Sequence, residues 1–442
     1  MRINCGVVFA CFLASVAQAQ FLVPDQQYRC PPSDGVCKST HKPSAFEVGL
    51  SDHNHHPYTI NYVEYTDKGT LWAPQELMDA VNQVTTVVND HSEHPLIVLY
   101  VHGWQNNASD SSGDVVKFRG FMSRLADDYP VSPSGKQPQV VGVYLAWRGL
   151  TFTVEPFKHI VSYWPRRQVA KDVGRTGIYD GINQIGTAVN ADQEGRKNTF
   201  FILAGHSFGA RVLENAIDGL DRNKKPRGML STYFDSIHHA ALQARDHKSA
   251  LSEKELHALP NMPADLVVYV NAATSSAKSI QRSREIRDDC REMQGHPICN
   301  ADPFYIAFTS TNDLATGLIM PIANLVFPDL VSDKLHLISA ANTPWLHTHR
   351  APEVGCPPGS LCFEIAGTSG PPAQYYLPRI TEKIQVPSIG SDAFWIFNVH
   401  SNLVNGHGDV WNPNVENMIA AILKNNGHFA AVRQAAALAV SP

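Results

Sequence analysis

The chain has 442 residues, 43% apolar and 17% charged, enough apolar material for a large buried core in one big domain or two ordinary ones. Its formal charge of -5 excludes the strongly basic balance by which nucleic-acid binders are read, so no nucleic-acid partner is expected. Lys and Arg are scattered, and the one local cluster, Lys224, Lys225 and Arg227, reads as a solvated loop.

Residues 1–19 read as an export signal. Arg2 supplies the positive start, Cys5 to Ala17 form the apolar run, and Ala17-Gln18-Ala19 is an A-x-A cleavage pattern that predicts a mature chain beginning at Gln20. The run is shorter than the roughly 20 residues a membrane helix needs. No later stretch is long and apolar enough, so no transmembrane segment is expected, and the product is expected to be secreted or periplasmic. Two of the eight cysteines, Cys5 and Cys11, would leave with the signal, and six remain. An even count in an exported chain predicts disulfides, and six cysteines allow 15 pairings. Proximity along the chain favours Cys30–Cys37, Cys290–Cys299 and Cys356–Cys362. C-x6-C and C-x5-C gaps do not match the C-x2-C of zinc sites, and no metal is expected.

Residues 20–57, rich in Pro, Ser, His and Asp, read as an N-terminal extension, with His53, His55 and His56 in a polar loop. Residues 58–442 read as the main domain. Tyr58 to Tyr65 alternates and meets the turn signal Asp67-Lys68-Gly69, which predicts an outer strand or hairpin. Pro74 to Asn89 has Pro at an early helical position and apolar residues at helical spacing. Pro95 to Val101 is nearly all apolar, as for a strand covered on both faces. A helix around Val115 to Asp127 and a strand at Val140 to Trp147 follow. An aromatic loop with Phe152, Phe157, Tyr163 and Trp164 leads into a long helix near Arg166 to Val189. Leu266 to Val270, Phe304 to Thr309 and Ala393 to Val399 are further strands, and Asn414 to Lys424 and His428 to Val440 are closing helices. Strand alternating with helix at this spacing predicts an α/β fold: a mostly parallel central sheet with helices on both faces. Leu318 to Gln385 breaks the rhythm. It is rich in Pro and Gly and reads as a long insertion before the last strand, lying over or beside the site or merely structural.

Between the helix and the strand at Leu266, the chain reads FFILAGHSFG from Phe200 to Gly209. Four apolar residues run into Gly205-His206-Ser207-Phe208-Gly209, and Ala210 to Ile217 has helical spacing. A G-x-S-x-G between a strand and a helix is the setting of a nucleophile turn, tight enough to hold the serine strained with its hydroxyl above the sheet edge. Gly205 and Gly209 flank it because a side chain there would strike the crossing elements. The alternative is an ordinary strand-to-helix turn with a buried serine.

A serine hydroxyl needs a base, and the base needs an acid to orient it. Functional residues in open α/β sheets come from the carboxyl ends of strands. Asp313 follows the strand ending at Thr309. Asp265 and Asp302 precede their strands and belong to the wrong edge, and Asn271, Ala272 and Ala273 follow Val270 with no carboxylate. For the base, His407 lies on the loop Asn405-Gly406-His407-Gly408-Asp409, with His400 near the strand end as its rival. The oxyanion donors would be the backbone N–H groups of Phe208 and of Trp104, beside His102-Gly103.

YVHGW at Tyr100 to Trp104, GHSFG at Gly205 to Gly209, STND at Ser310 to Asp313 and NGHGD at Asn405 to Asp409 together resemble the α/β-hydrolase superfamily, in its secreted esterase or lipase-like branch. The order Ser207, Asp313, His407 is the order that superfamily uses. The resemblance runs from about Tyr58 to the C-terminus. It implies an α/β-hydrolase fold and a secreted serine hydrolase acting on a small-molecule or lipid ester. The aromatic loop would line an acyl pocket or pack in the core. Acyl transfer, thioester or peptide cleavage on the same triad, and a non-catalytic binding protein, are the alternatives. Serine catalysis of this kind needs no cofactor, and no phosphate loop or dinucleotide fingerprint is present.

Overall fold

The computed structural model describes residues 23–32, 42–91, 94–128, 139–149, 163–217, 236, 239–240, 242–243, 246, 264–274, 304–319, 349–351, 364–365, 394–401, 403–416 and 419. Among them Phe46–Leu50 (β1), Pro57–Tyr65 (β2), Leu96–Val101 (β3), Val140–Trp147 (β4), Phe200–His206 (β5), Leu266–Val270 (β6), Tyr305–Ser310 (β7), His349–Ala351 (β8), Glu364–Ile365 (β9) and Phe394–Val399 (β10) are strands. They form one sheet in the order β1-β2-β4-β3-β5-β6-β7-β10-β8-β9. Neighbours from β2 through β8 in that order run parallel, and the edge strands β1 and β9 run antiparallel to theirs.

The helices are Pro74–Asn89 (α1), Gly113–Asp128 (α2), Tyr163–Arg175 (α3), Gly177–Asn190 (α4), Gln193–Asn198 (α5) and Phe208–Ile217 (α6). They cover both faces of the sheet. In β3, Ile97, Leu99 and Val101 face a core shared with α1, α3, α4 and α6. Leu96, Val98 and Tyr100 face a second core with α2 and with Trp411, Val415 and Ile419. The period of two sorts successive side chains onto opposite faces, and all six are fully buried. Each buried side chain of this size contributes roughly 1.5–3 kcal/mol, so the central strands form a rigid base for the loops at their carboxyl ends. No helix of the described residues is long and apolar enough to cross a membrane.

Three features differ from the sequence expectation. Residues 58–65 are one arm of a hairpin, antiparallel to β1, but not an outer strand: β2 lies between β1 and β4. The outer strand comes from the stretch read as an extension; its apolar positions Phe46, Val48 and Leu50 alternate with Glu47 and Gly49, but Val48 and Leu50 face solvent rather than a core. That stretch is also anchored by Arg29, whose buried guanidinium donates to Ala108 O, Ser44 O and Asp110 at 2.6–2.8 Å and lies 3.4 Å from the Tyr62 ring centroid. The long helix over 166–189 breaks at Thr176, whose φ of -123° and ψ of -101° are not helical. There the backbone of Gly177 packs directly on the Gly69 carbonyl and Tyr65. Within the 318–385 stretch, β8 and β9 extend the sheet beyond β10; its other residues past 319 lie outside the described set, as does the helix expected at 428–440. Residues 413–416 and 419 are helical, at the start of the other.

Candidate functional site

The registers Val101 with Gly205, His206 with Val270 and Val399 with Ser310 bring the carboxyl ends of β3, β5, β6, β7 and β10 to one edge of the sheet. Ser207 caps β5 at a φ of +53°, a conformation rare outside glycine. It is held there from both sides. Its N–H donates to Val270 O at 3.1 Å, and its carbonyl accepts from Ala273 N at 3.1 Å and Arg211 N at 3.3 Å. A Cβ on Gly205 would sit 2.7 Å from Ala210 Cα, and one on Gly209 would strike the carbonyls of Val101 and His102. The two glycines therefore let helix α6 start close against β3 and β5, as the motif requires.

Asp313 and His407 come from other strands and meet this serine. His407 Nε2 lies 2.6 Å from Ser207 Oγ, and its Nδ1 lies 2.9 and 3.0 Å from the two Asp313 carboxylate oxygens. An ionised carboxylate only accepts, so the proton is on Nδ1 and the Nε2 lone pair faces the hydroxyl. Burial works against the charge on Asp313. Hydrogen bonding and charge from His407, followed by the Thr316 hydroxyl and N–H, outweigh it, and the carboxyl titrates below its ordinary value. The Asp313 side chain is fully buried while that of His407 is 23% exposed, so the imidazole is the member of the pair open to solvent. Of the two candidate bases, His407 is the one that meets Ser207. His400 heads a turn, its carbonyl accepting from Leu403 N at 2.9 Å and Val404 N at 3.2 Å.

The loop after β3 abuts the serine. A Cβ on Gly103 would lie 3.0 Å from Ser207 Cβ. The Trp104 ring packs edge-on to that of Phe208 at 6.0 Å, and Phe208 is the first residue of α6. Buried His102 sets the shape of this loop. Its Nε2 accepts from Trp147 N at 3.0 Å and its Nδ1 donates to Gly103 O at 2.8 Å. Those partners fix the neutral tautomer, and burial lowers its pKa to about 4.

Behind the serine lies a buried polar layer that the motifs did not reveal. His206 donates from Nε2 to His407 O at 2.9 Å. Burial first, and then the charge that His407 carries when protonated, lower its pKa to about 3, so it is neutral. Its Nδ1 is 3.9 Å from Asp114, whose carboxylate accepts from the Tyr100 and Tyr144 hydroxyls at 3.0 and 2.9 Å. Burial raises Asp114 to about 6. Asn271, noted in the sequence only as a position lacking a carboxylate, is fully buried among these groups. One signal could have found it: an asparagine directly after a strand, a residue type that tolerates positive φ.

Phe152 and Phe157 lie outside the described residues. Tyr163 and Trp164 open α3, but their side chains are also outside. Cys30 is disulfide-bonded, while Cys37, Cys290, Cys299, Cys356 and Cys362 lie outside the described set. Among the described residues, no group of three or more His, Cys, Asp or Glu could hold a metal ion. No family model matches the chain, and neither the curated proteins nor the solved structures yield a match.

Proposed function

We propose that this protein is an exported serine hydrolase of the α/β-hydrolase superfamily that cleaves carboxylic esters through an acyl-enzyme. The observation that carries the reading is the unbroken line Ser207 Oγ–His407 Nε2, His407 Nδ1–Asp313, with Ser207 at positive φ on the sheet edge. A proton can leave the hydroxyl along that line as the oxygen attacks. The strand order and the helices on both faces fit the fold. The disulfide at Cys30 supports an oxidising compartment.

Ser207 Oγ attacks the ester carbonyl carbon while His407 Nε2 takes its proton. Asp313 holds Nδ1–H and balances the imidazolium. The carbonyl oxygen, now negative, receives the N–H groups of Phe208 and Trp104. Collapse breaks the ester C–O bond, and His407 returns the proton to the departing alcohol. Water then repeats the sequence on the acyl-serine, releasing the acid and restoring Ser207.

Ser207→Ala should abolish turnover of a p-nitrophenyl ester and labelling by a fluorophosphonate, with the circular dichroism spectrum unchanged. Undiminished turnover in that variant, or a wild type that does not label, ends the reading. A chain-length series of esters then separates short-chain esterase from lipase activity.

A further inference from the structure

The residue after β6 stands between the strand that carries Ser207 and the one that leads to Asp313, and it belongs to neither. Asn271 is fully buried, at a φ of +46°. Its side-chain amide makes three hydrogen bonds. Nδ2 donates to Gly406 O at 3.0 Å and to His407 O at 2.9 Å, and Oδ1 accepts from Ser310 N at 3.0 Å. Backbone carbonyls only accept and a backbone N–H only donates, so these partners fix which end of the amide is which. One planar group thus ties the β7 end, three residues before Asp313, to the two carbonyls that flank the His407 Cα on the base loop. His407 O also accepts from His206 Nε2 at 2.9 Å, so the backbone of the base is held by donors from the ends of both β5 and β6.

We infer that Asn271 is a positioning residue: its amide, seconded by His206, holds the His407 backbone where the imidazole meets Ser207 and Asp313 at once. The inference rests on the serine-hydrolase reading. The imidazole has to satisfy two partners on different strands, and neither of its own hydrogen bonds fixes its backbone. Displacement of a reacting group by 1 Å costs about 10² in rate. Packing alone would not require this residue type. Leucine or aspartate fills a similar volume, but neither donates to two carbonyls, and an aspartate would turn a carboxylate toward them.

The test uses the full chain with two variants. Asn271→Gly keeps the positive-φ backbone at no steric cost and deletes the amide. Asn271→Asp keeps the shape and the acceptor for Ser310 N and deletes both donors, which keeps the test open if the glycine variant folds poorly. In both, kcat on a p-nitrophenyl ester should fall 10- to 100-fold with KM within threefold. The low-field proton resonance of His407 Nδ1–H should broaden or vanish. A folded variant with kcat within twofold of wild type and that resonance intact overturns the inference. Fluorophosphonate labelling of wild-type Ser207 is read in parallel: its absence refutes the hydrolase reading itself, whatever the Asn271 variants do.

Discussion

Asp313→Asn tests the tautomer at the centre of the mechanism. Oδ1 accepts from Ala315 N at 3.0 Å and Thr316 N at 3.1 Å, and Oδ2 accepts from the Thr316 hydroxyl. In the variant, two backbone donors demand an oxygen at the first place, so the new NH2 is driven to the second, 3.0 Å from His407 Nδ1. The threonine hydroxyl rotates and becomes an acceptor at little cost. Oδ1 also lies 2.9 Å from Nδ1 but is already taken by two backbone donors, so the imidazole is driven to accept at Nδ1 and carry its proton on Nε2, pointing at Ser207 Oγ, where it cannot act as a base. The loss for this change of tautomer is about 10⁴ in kcat, about 5 kcal/mol at 1.36 kcal/mol per decade. Geometry and volume are kept, so KM and the thermal midpoint should move little. Steady-state hydrolysis of p-nitrophenyl acetate reads kcat and KM, and a melting curve reads the fold. A folded variant with more than a tenth of wild-type kcat would show that Asp313 does not set the tautomer.

Two stability predictions come from pairs away from the serine. Arg196 and Asp265 form a buried two-point ion pair at 2.7 and 3.1 Å at the opposite end of the strands, with Asp265 also accepting from Phe201 N. Asp265→Ala should cost about 3–5 kcal/mol, because it leaves an uncompensated buried guanidinium; a urea denaturation midpoint equal to wild type would refute this. Burial raises Glu64 to about 7, and burial plus the Glu64 charge raises Glu76 to about 8, against an ordinary 4.5. The folded chain therefore holds more protons than the unfolded one, and stability present below pH 4.5 drains away as pH rises through 7 to 8. The melting temperature should fall between pH 5 and pH 8.5, and Glu76→Gln should flatten that fall. An identical slope in the variant would assign the effect to other groups.

What could be read in the sequence depended on whether one segment carried the signal by itself. Val140 to Trp147, Leu266 to Val270 and Pro74 to Asn89 have the bounds expected of them, because continuous apolar runs and a Pro-started amphipathic stretch are local properties. The glycine-flanked serine was legible for the same reason. β1 was not: an edge strand with Val48 and Leu50 turned outward looks like loop until β2 is beside it. The break at Thr176 was not legible either, since it falls where the chain packs against Gly69, over a hundred positions away. Asn271 and Asp114 lie furthest from sequence reasoning. Their partners are backbone carbonyls of a distant loop and tyrosine hydroxyls of other strands, groups that mark no sequence pattern.

The topology also explains why the base needs more holding than the acid. From β5 to β10 the sheet takes three steps, through β6 and β7, about 14 Å at the usual strand spacing. Asp313, three residues past the end of β7, reaches its place within one turn, its N–H bonded to Ser310 O at 3.2 Å. His407 is eight residues past Val399 and has to travel back across β7 and β6 toward the serine. A loop of that length has ample reach, on the order of 26 Å extended, but no single conformation of its own. Its course is set by what it crosses. Ser310 Oγ donates to Val404 O, Asn312 Oδ1 accepts from Gly406 N at 2.7 Å, and Asn271 and then His206 take the last two carbonyls. The polar residues at the ends of β7, β6 and β5 thus meet the returning loop in that order, and the imidazole arrives at Ser207 as the last contact of the series.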